Sequence, residues 1–280
     1  MARNKRPAPR PSGSRVITIA RTDLRALIQS PDFWAPMLVL AVLFFVVAPT
    51  ILLWAITHIE GADLVAKVSA SLDLLPPQAQ ARVQGTSPQA KTSYALAVYL
   101  FAPLAVIVPM TISTAVGANT LVGEWEKGTG EWLAQTPATE REIYLGKLIA
   151  SLLPGYVTTM VGFGIYALIV NLIVGPRVGG WFFPTKEWWV LMLLVVPPFL
   201  ALTLSVVIRL SGRVKSAAAA QQASGLVTLP LILVSYAQSS GLLFGTGSAL
   251  FVGIVAWAGA AYGLARGQKA VRRSRLLGVD

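Results

Sequence analysis

The chain has no cysteine and a single histidine, His58, among 280 residues. Neither a disulfide framework nor a thiolate metal site can be built from it. A Ser-His-Asp hydrolase set is excluded as well, because His58 has no acidic partner within its apolar run. It reads as an interfacial side chain at the end of that run. Charge is also scarce. Asp, Glu, Lys and Arg make up 12% of the residues, about half the share in soluble domains. None of the four occurs in 33–59, 92–123, 148–176, 188–208 or 216–265. Proton- and many ion-coupled transporters use buried Asp, Glu or Lys as the coupling element, so their absence from these runs disfavours that class.

What fills the runs is apolar, 55% of the chain. A helix needs roughly 20 apolar residues to cross a bilayer core of about 30 Å. The first four runs each fit one span, and the last fits two with a turn near 239–247. The expected fold is an all-α polytopic membrane protein with six transmembrane helices. The spans are placed at 33–56, 93–116, 142–174, 188–208, 218–237 and 248–265. Prolines at 36, 49, 103, 109, 197 and 198 are expected to kink the first, second and fourth. Thr111, Ser113 and Thr114 are placed to bond carbonyls freed by the prolines of the second span. Gly155, Gly162 and Gly164 in the third span, and the Gly259/Gly263 pair in the sixth, suit close helix packing. Trp181, Phe182, Phe183, Trp188 and Trp189 read as an interfacial aromatic belt, with a lipid- or drug-contacting site as the sharper alternative.

The net charge is +11. In a membrane protein the positive-inside rule accounts for it, and no nucleic-acid partner is expected. With both termini inside, the inner segments hold eighteen of the 23 Lys and Arg. The opposite orientation inverts that ratio. Residues 1–14 form a disordered basic tail suited to anionic head groups, and 267–280 a basic cytoplasmic tail. About thirty polar and basic residues precede the first run, which is too long for a signal-peptide core. Residues 15–30 have the pattern of an amphipathic helix in the membrane interface. Val16, Ala20, Leu24, Leu27 and Ile28 share one face, and Arg21 and Arg25 lie opposite. Residues 57–91 form the largest extracytoplasmic segment, expected to cap the outer mouth.

One polar stretch, 119–141, interrupts the apolar runs on the inner side. With the residue that follows it, it holds Glu124, Glu126, Glu131, Glu140 and Glu142, five of the twelve acidic residues. Glycines at 128 and 130 and Pro137 break it into short pieces. Thr139 and Glu142 have capping-box spacing. The reading is a short surface helix, a turn at Pro137, and a new helix from Thr139 that enters the membrane, with Lys147 snorkelling to the interface.

This stretch resembles the cytoplasmic coupling segment of ABC-2-type transporter permeases. Glu124, Glu126, Gly128, Thr129, Glu131, Leu133, Pro137, Thr139, Glu142, Ile143, Gly146 and Lys147 are in register with that family's pattern. The chain departs from it at Gly130 and Ala134, where leucine is usual, and at Glu140, where arginine is usual. Ser211, Arg213, Lys215, Ser216 and Ala217 resemble the family's stretch before the fifth span. The resemblance implies the transmembrane subunit of a bacterial ABC transporter, with a coupling helix between spans two and three. An interfacial helix would border the ATPase.

The implied partners are separate cytoplasmic ATPase subunits, which bind ATP and Mg, a second permease subunit (identical or related) and membrane lipid. The implied location is the plasma membrane. The implied role is export, and the apolar, aromatic-lined spans lean toward a lipid-like, amphipathic or drug-like cargo. No cofactor and no catalysis are expected in this chain. It lacks a G-x-x-x-x-G-K-[ST] loop, since Gly123–Thr129 carries threonine where lysine is required. It also lacks the Leu-Ser-Gly-Gly-Gln signature; Leu210-Ser-Gly-Arg213 stops short. The alternatives are a membrane scaffold without transport and a secondary transporter. For the carboxylates, the alternative is a loop that merely stays soluble.

Overall fold

A run of apolar residues in lipid has no water to satisfy its amides, so it folds as helix. The computed structural model describes residues 13–58, 70, 77–126, 130–211, 222, 229, 233 and 246–267, and these contain helices and no strand. Helix α1 spans Gly13–Ile28. Helix α2 (Pro31–Val42) passes through a π-turn at Leu43–Val47 into α3 (Ala48–His58). Pro77–Gln80 forms α4 and Pro88–Ala95 forms α5, followed by a π-turn at Leu96–Leu100. Helix α6 covers Leu104–Glu126, α7 Gly130–Gln135, α8 Glu140–Ile173 and α9 Gly175–Val178. Helix α10 (Lys186–Val190) runs through a third π-turn, Leu191–Val195, into α11 (Val196–Ser211). The last described helix, α12, covers Thr246–Gly267.

Among the described residues, three helices are long and apolar enough to cross a membrane: Trp34–His58, Glu140–Ile173 and Lys186–Arg209. They coincide with the first, third and fourth expected spans. Shorter apolar helices cover Val106–Asn119 and Leu250–Ala265, within the second and sixth. The fifth expected span lies almost entirely outside the described residues, as do most of 59–76 and both basic tails.

Three prolines coincide with wider turns. Each π-turn ends just before one: Pro49, Pro103 and Pro197. Proline has no N–H to offer the carbonyl four residues back, and its ring crowds that carbonyl. A wider turn relieves both problems, and Ala48 and Val196 donate five residues back, to Leu43 and Leu191. Pro36, Pro109 and Pro154 stay inside ordinary α-helix. The hydroxyls near Pro109 do not serve the carbonyl it frees. Thr111 donates to Ile107 O at 2.8 Å, Thr114 to Met110 O at 2.7 Å, and Ser113 reaches Leu152 O of α8.

The larger apolar cluster lies away from the polar stretch and is rich in aromatic rings. At the break before Pro103, Phe101 N donates to Leu96 O and Ala102 N to Tyr99 O. The carbonyls of Ala97 and Val98 are taken by side chains instead. Tyr166 OH donates to Ala97 O at 2.6 Å, and Trp188 Nε1 donates to Val98 O at 2.9 Å. Trp188 also stacks on Phe163, with ring centroids 5.6 Å apart, and meets Phe183 edge-on at 5.0 Å. The expected interfacial belt is therefore corrected. Trp181 and Trp189 are exposed, but Phe183 and Trp188 are buried and pin the broken helix.

Asn171, inside an apolar run, ties down the loop that carries these rings. Its Nδ2 donates to Phe183 O at 2.5 Å and to Ala167 O at 2.8 Å. Its Oδ1 accepts from Phe182 N and Phe183 N at 3.0 and 3.1 Å. Asn171→Leu keeps the volume and strands those backbone groups. We expect a loss of about 3 kcal/mol, read as a lower melting temperature and faster proteolysis within 179–185. An unchanged melting curve would refute the tie.

Candidate functional site

At the opposite end, the polar stretch folds into two pieces. Helix α7 is six residues long, and bends at Thr136 and Pro137 separate it from α8. Thr139 then caps α8. Glu142 N donates to Thr139 Oγ1 at 3.2 Å, and Thr139 N donates to Glu142 Oε2 at 2.7 Å. The reciprocal pair satisfies two of the helix's orphan donors and sets the angle at which the stretch leaves the helix.

Helix α1 lies along the start of α8. Three residues four apart make the contact: Arg15, Ile19 and Asp23. Arg15 Nη1 donates to Pro137 O at 3.2 Å and sits 3.7 Å from Glu142 Oε2. Ile19 fills the space over Gly146, where an added Cβ would stand 2.7 Å from Ile19 Cγ2 and 3.1 Å from Val16 O. Asp23 Oδ2 pairs with Lys147 Nζ at 3.4 Å. Both α8 charges are buried, with side chains 1% and 2% exposed for Glu142 and Lys147. The expected snorkelling of Lys147 is thus overturned. Its ammonium finds a carboxylate inside the protein and has no need to reach water.

Beneath the clasp lies a small apolar cluster of Ala138, Ile143, Tyr144, Leu148, Leu204 and Ile208. Leu133 of α7 packs against it, as does Ile19. Tyr144 OH donates to Ser205 Oγ at 3.1 Å and so joins α8 to α11. Arg209 donates to Gly263 O at 2.7 Å and joins α11 to α12. The segment 130–139 is therefore fastened to α1, α8 and the bundle behind them.

The residues read from the sequence fall into four groups. Glu142, Gly146 and Lys147 are buried together against α1, and Leu133 is half-buried beside them. Glu131, Pro137, Arg21 and Arg25 are exposed. Glu124 and Glu126 lie on the backbone of the last turns of α6, which continues past the expected end of the second span. Gly128 and Thr129 lie outside the described residues. On α1 the packed face is Val16, Ile19, Ala20 and Asp23, while Ile28 points outward at 70% exposure. Three contributors went unread: Arg15, Asp23 and Trp132. Trp132 is 76% exposed beside Glu131 on the polar segment, a costly position for a large apolar ring.

An all-helical membrane domain with this fastened polar segment is consistent with more than one family, and a sequence comparison decides between them. The family model described as ABC-2 family transporter protein matches residues 17–255. The chain belongs to the ABC-2 transporter family. No curated protein matches it. An ABC-2 protein of this kind is a membrane-embedded permease subunit of an ABC transporter and is not itself catalytic. The matched span includes the polar stretch, the helices on both sides of it, and all of α1 from Ile17 onward.

Proposed function

We propose that this permease is the transmembrane half of an ATP-driven exporter and that 130–139 is where ATPase subunits dock. The observation that carries the docking reading is the pairing of exposed Glu131 and Trp132 with a rigidly fastened base. A partner can grip an exposed tryptophan and carboxylate, and tryptophan is enriched among residues that dominate interface energies. The capping box and the Arg15–Glu142 contact then pass any displacement to α8 and α1. Separate cytoplasmic subunits bind ATP and Mg, and a second copy or a related permease completes the pathway in the plasma membrane. The cargo is lipid-like, amphipathic or drug-like. Glu142, Gly146 and Lys147 serve the coupling from inside, by holding α1, and not by touching the partner.

The test is co-purification from membranes in mild detergent, with mass spectrometry of what accompanies the chain. A stoichiometric ATPase carrying P-loop and signature motifs supports the reading. Its absence favours the scaffold alternative. Glu131→Lys, alone or with Glu126→Lys, is expected to lower ATPase recovery at least tenfold with insertion and melting temperature unchanged. Full recovery together with intact transport would sink the docking assignment.

A further inference from the structure

The end of the bundle away from the clasp holds a cavity of about 640 Å³, within the usual range of small-molecule sites. Its lining includes four aromatic residues, Tyr94, Tyr99, Phe182 and Trp188. It also includes the charged residues Arg82, Lys186 and Glu187. Arg82 Nη1 lies 3.3 Å from Glu187 Oε1, and their side chains are 53% and 48% exposed. An ion pair that exposed contributes little, so a competing anion can take the guanidinium from Glu187 at small cost. Among the described lining residues two cations accompany one carboxylate, which favours an anionic guest. Thr185 also lines the cavity, and its Oγ1 is buried with no hydrogen-bond partner among the described residues. A buried hydroxyl left in that state is normally satisfied by water or a ligand. The loop that carries Phe182 is held by the Asn171 tie, and the Trp188 ring by its bond to Val98 O. The site is therefore preformed and loses little entropy on binding.

We infer that this cavity binds an anionic amphiphile. Its aromatic or acyl body lies against Tyr94, Tyr99, Phe182 and Trp188, and its carboxylate or phosphate head lies at Arg82 and Lys186, within reach of Thr185. The inference draws on the proposed function only for the cavity's place on the outer side. Binding is measured without an ATPase, so a failure here and a failure of docking are separate results.

The full chain in phosphatidylcholine nanodiscs is titrated with dodecyl phosphate, dodecyl glucoside and inorganic phosphate. Saturable, stoichiometric binding of dodecyl phosphate is expected, at least tenfold tighter than either control. Arg82→Gln is expected to weaken it at least tenfold, and Glu187→Gln to tighten it by removing the competing carboxylate. Ala81→Trp, an exposed rim substitution, is expected to block it even if the charge variants disturb folding. Equal affinity for the glucoside, or binding indifferent to both Arg82→Gln and Ala81→Trp, overturns the inference. Phosphatidic acid added to the nanodisc distinguishes the sources. Competition supports a bilayer lipid as the guest, and no competition supports a soluble amphiphile.

Discussion

Gly155→Leu is expected to abolish recovery of folded protein from membranes. Helices α6 and α8 cross at this glycine. A Cβ there would fall onto Ser113 Oγ and stand 2.6 Å from Pro109 O. The hydroxyl can rotate away, but the carbonyl is backbone in the middle of α6 and cannot. A leucine must therefore separate the two helices along their contact. Overpacking of a close-packed interior costs about 1–3 kcal/mol, and a branched side chain against backbone belongs at or above the top of that range. Gly164 lies on the same helix with nothing within 4 Å of its would-be Cβ. Gly164→Leu should match the parent in yield and melting temperature. If both variants behave alike, the crossing is not where these helices meet.

The second large effect is asymmetric. Asp23→Ala should destabilise the protein more than Lys147→Met. The aspartate side chain is 27% exposed, whereas the lysine is 2% exposed, so removing Asp23 leaves the more deeply buried charge without this counter-ion. Breaking a buried pair from one side costs about 3–5 kcal/mol, and the partial exposure of Asp23 places this case near about 3 kcal/mol. Methionine keeps the unbranched stem of Lys147 and discards the charge. The double variant should recover most of the loss. A double-mutant cycle on melting temperatures in detergent measures this coupling. Additive losses, or a larger loss for Lys147→Met, would contradict it.

How much of this was legible depended on range along the chain. The Thr139–Glu142 box, the turn at Pro137 and the short piece before it were readable, because each is settled within four residues. Charge-free runs also place helices, since their length alone answers to the bilayer. They do not say which face of a helix meets protein. Lys147 was expected at the interface because its partner, Asp23, lies 124 positions away. Phe183 and Trp188 were read as a belt for the same reason, since the carbonyl that Trp188 caps is 90 positions distant. Asn171 went unread, because no periodicity marks its bonds to a loop eleven and twelve residues on. Among the glycines, 155 and 162 lie at close approaches as expected, whereas 164 does not.

The three π-turns carry a mechanical consequence. Two of them, Leu96–Leu100 and Leu191–Val195, fall toward the end of the bundle opposite the clasp, and Leu43–Val47 lies at the middle of the Trp34–His58 helix. Helix α8 has no such turn over its 34 residues, a rod of about 51 Å. The domain thus joins one stiff lever to three jointed members. A push at 130–139 meets rigidity first. Under the proposed coupling, motion that begins there would emerge as bending about Pro49, Pro103 and Pro197, and the second and third turns contribute Val98, Tyr99 and Leu191 to the cavity lining.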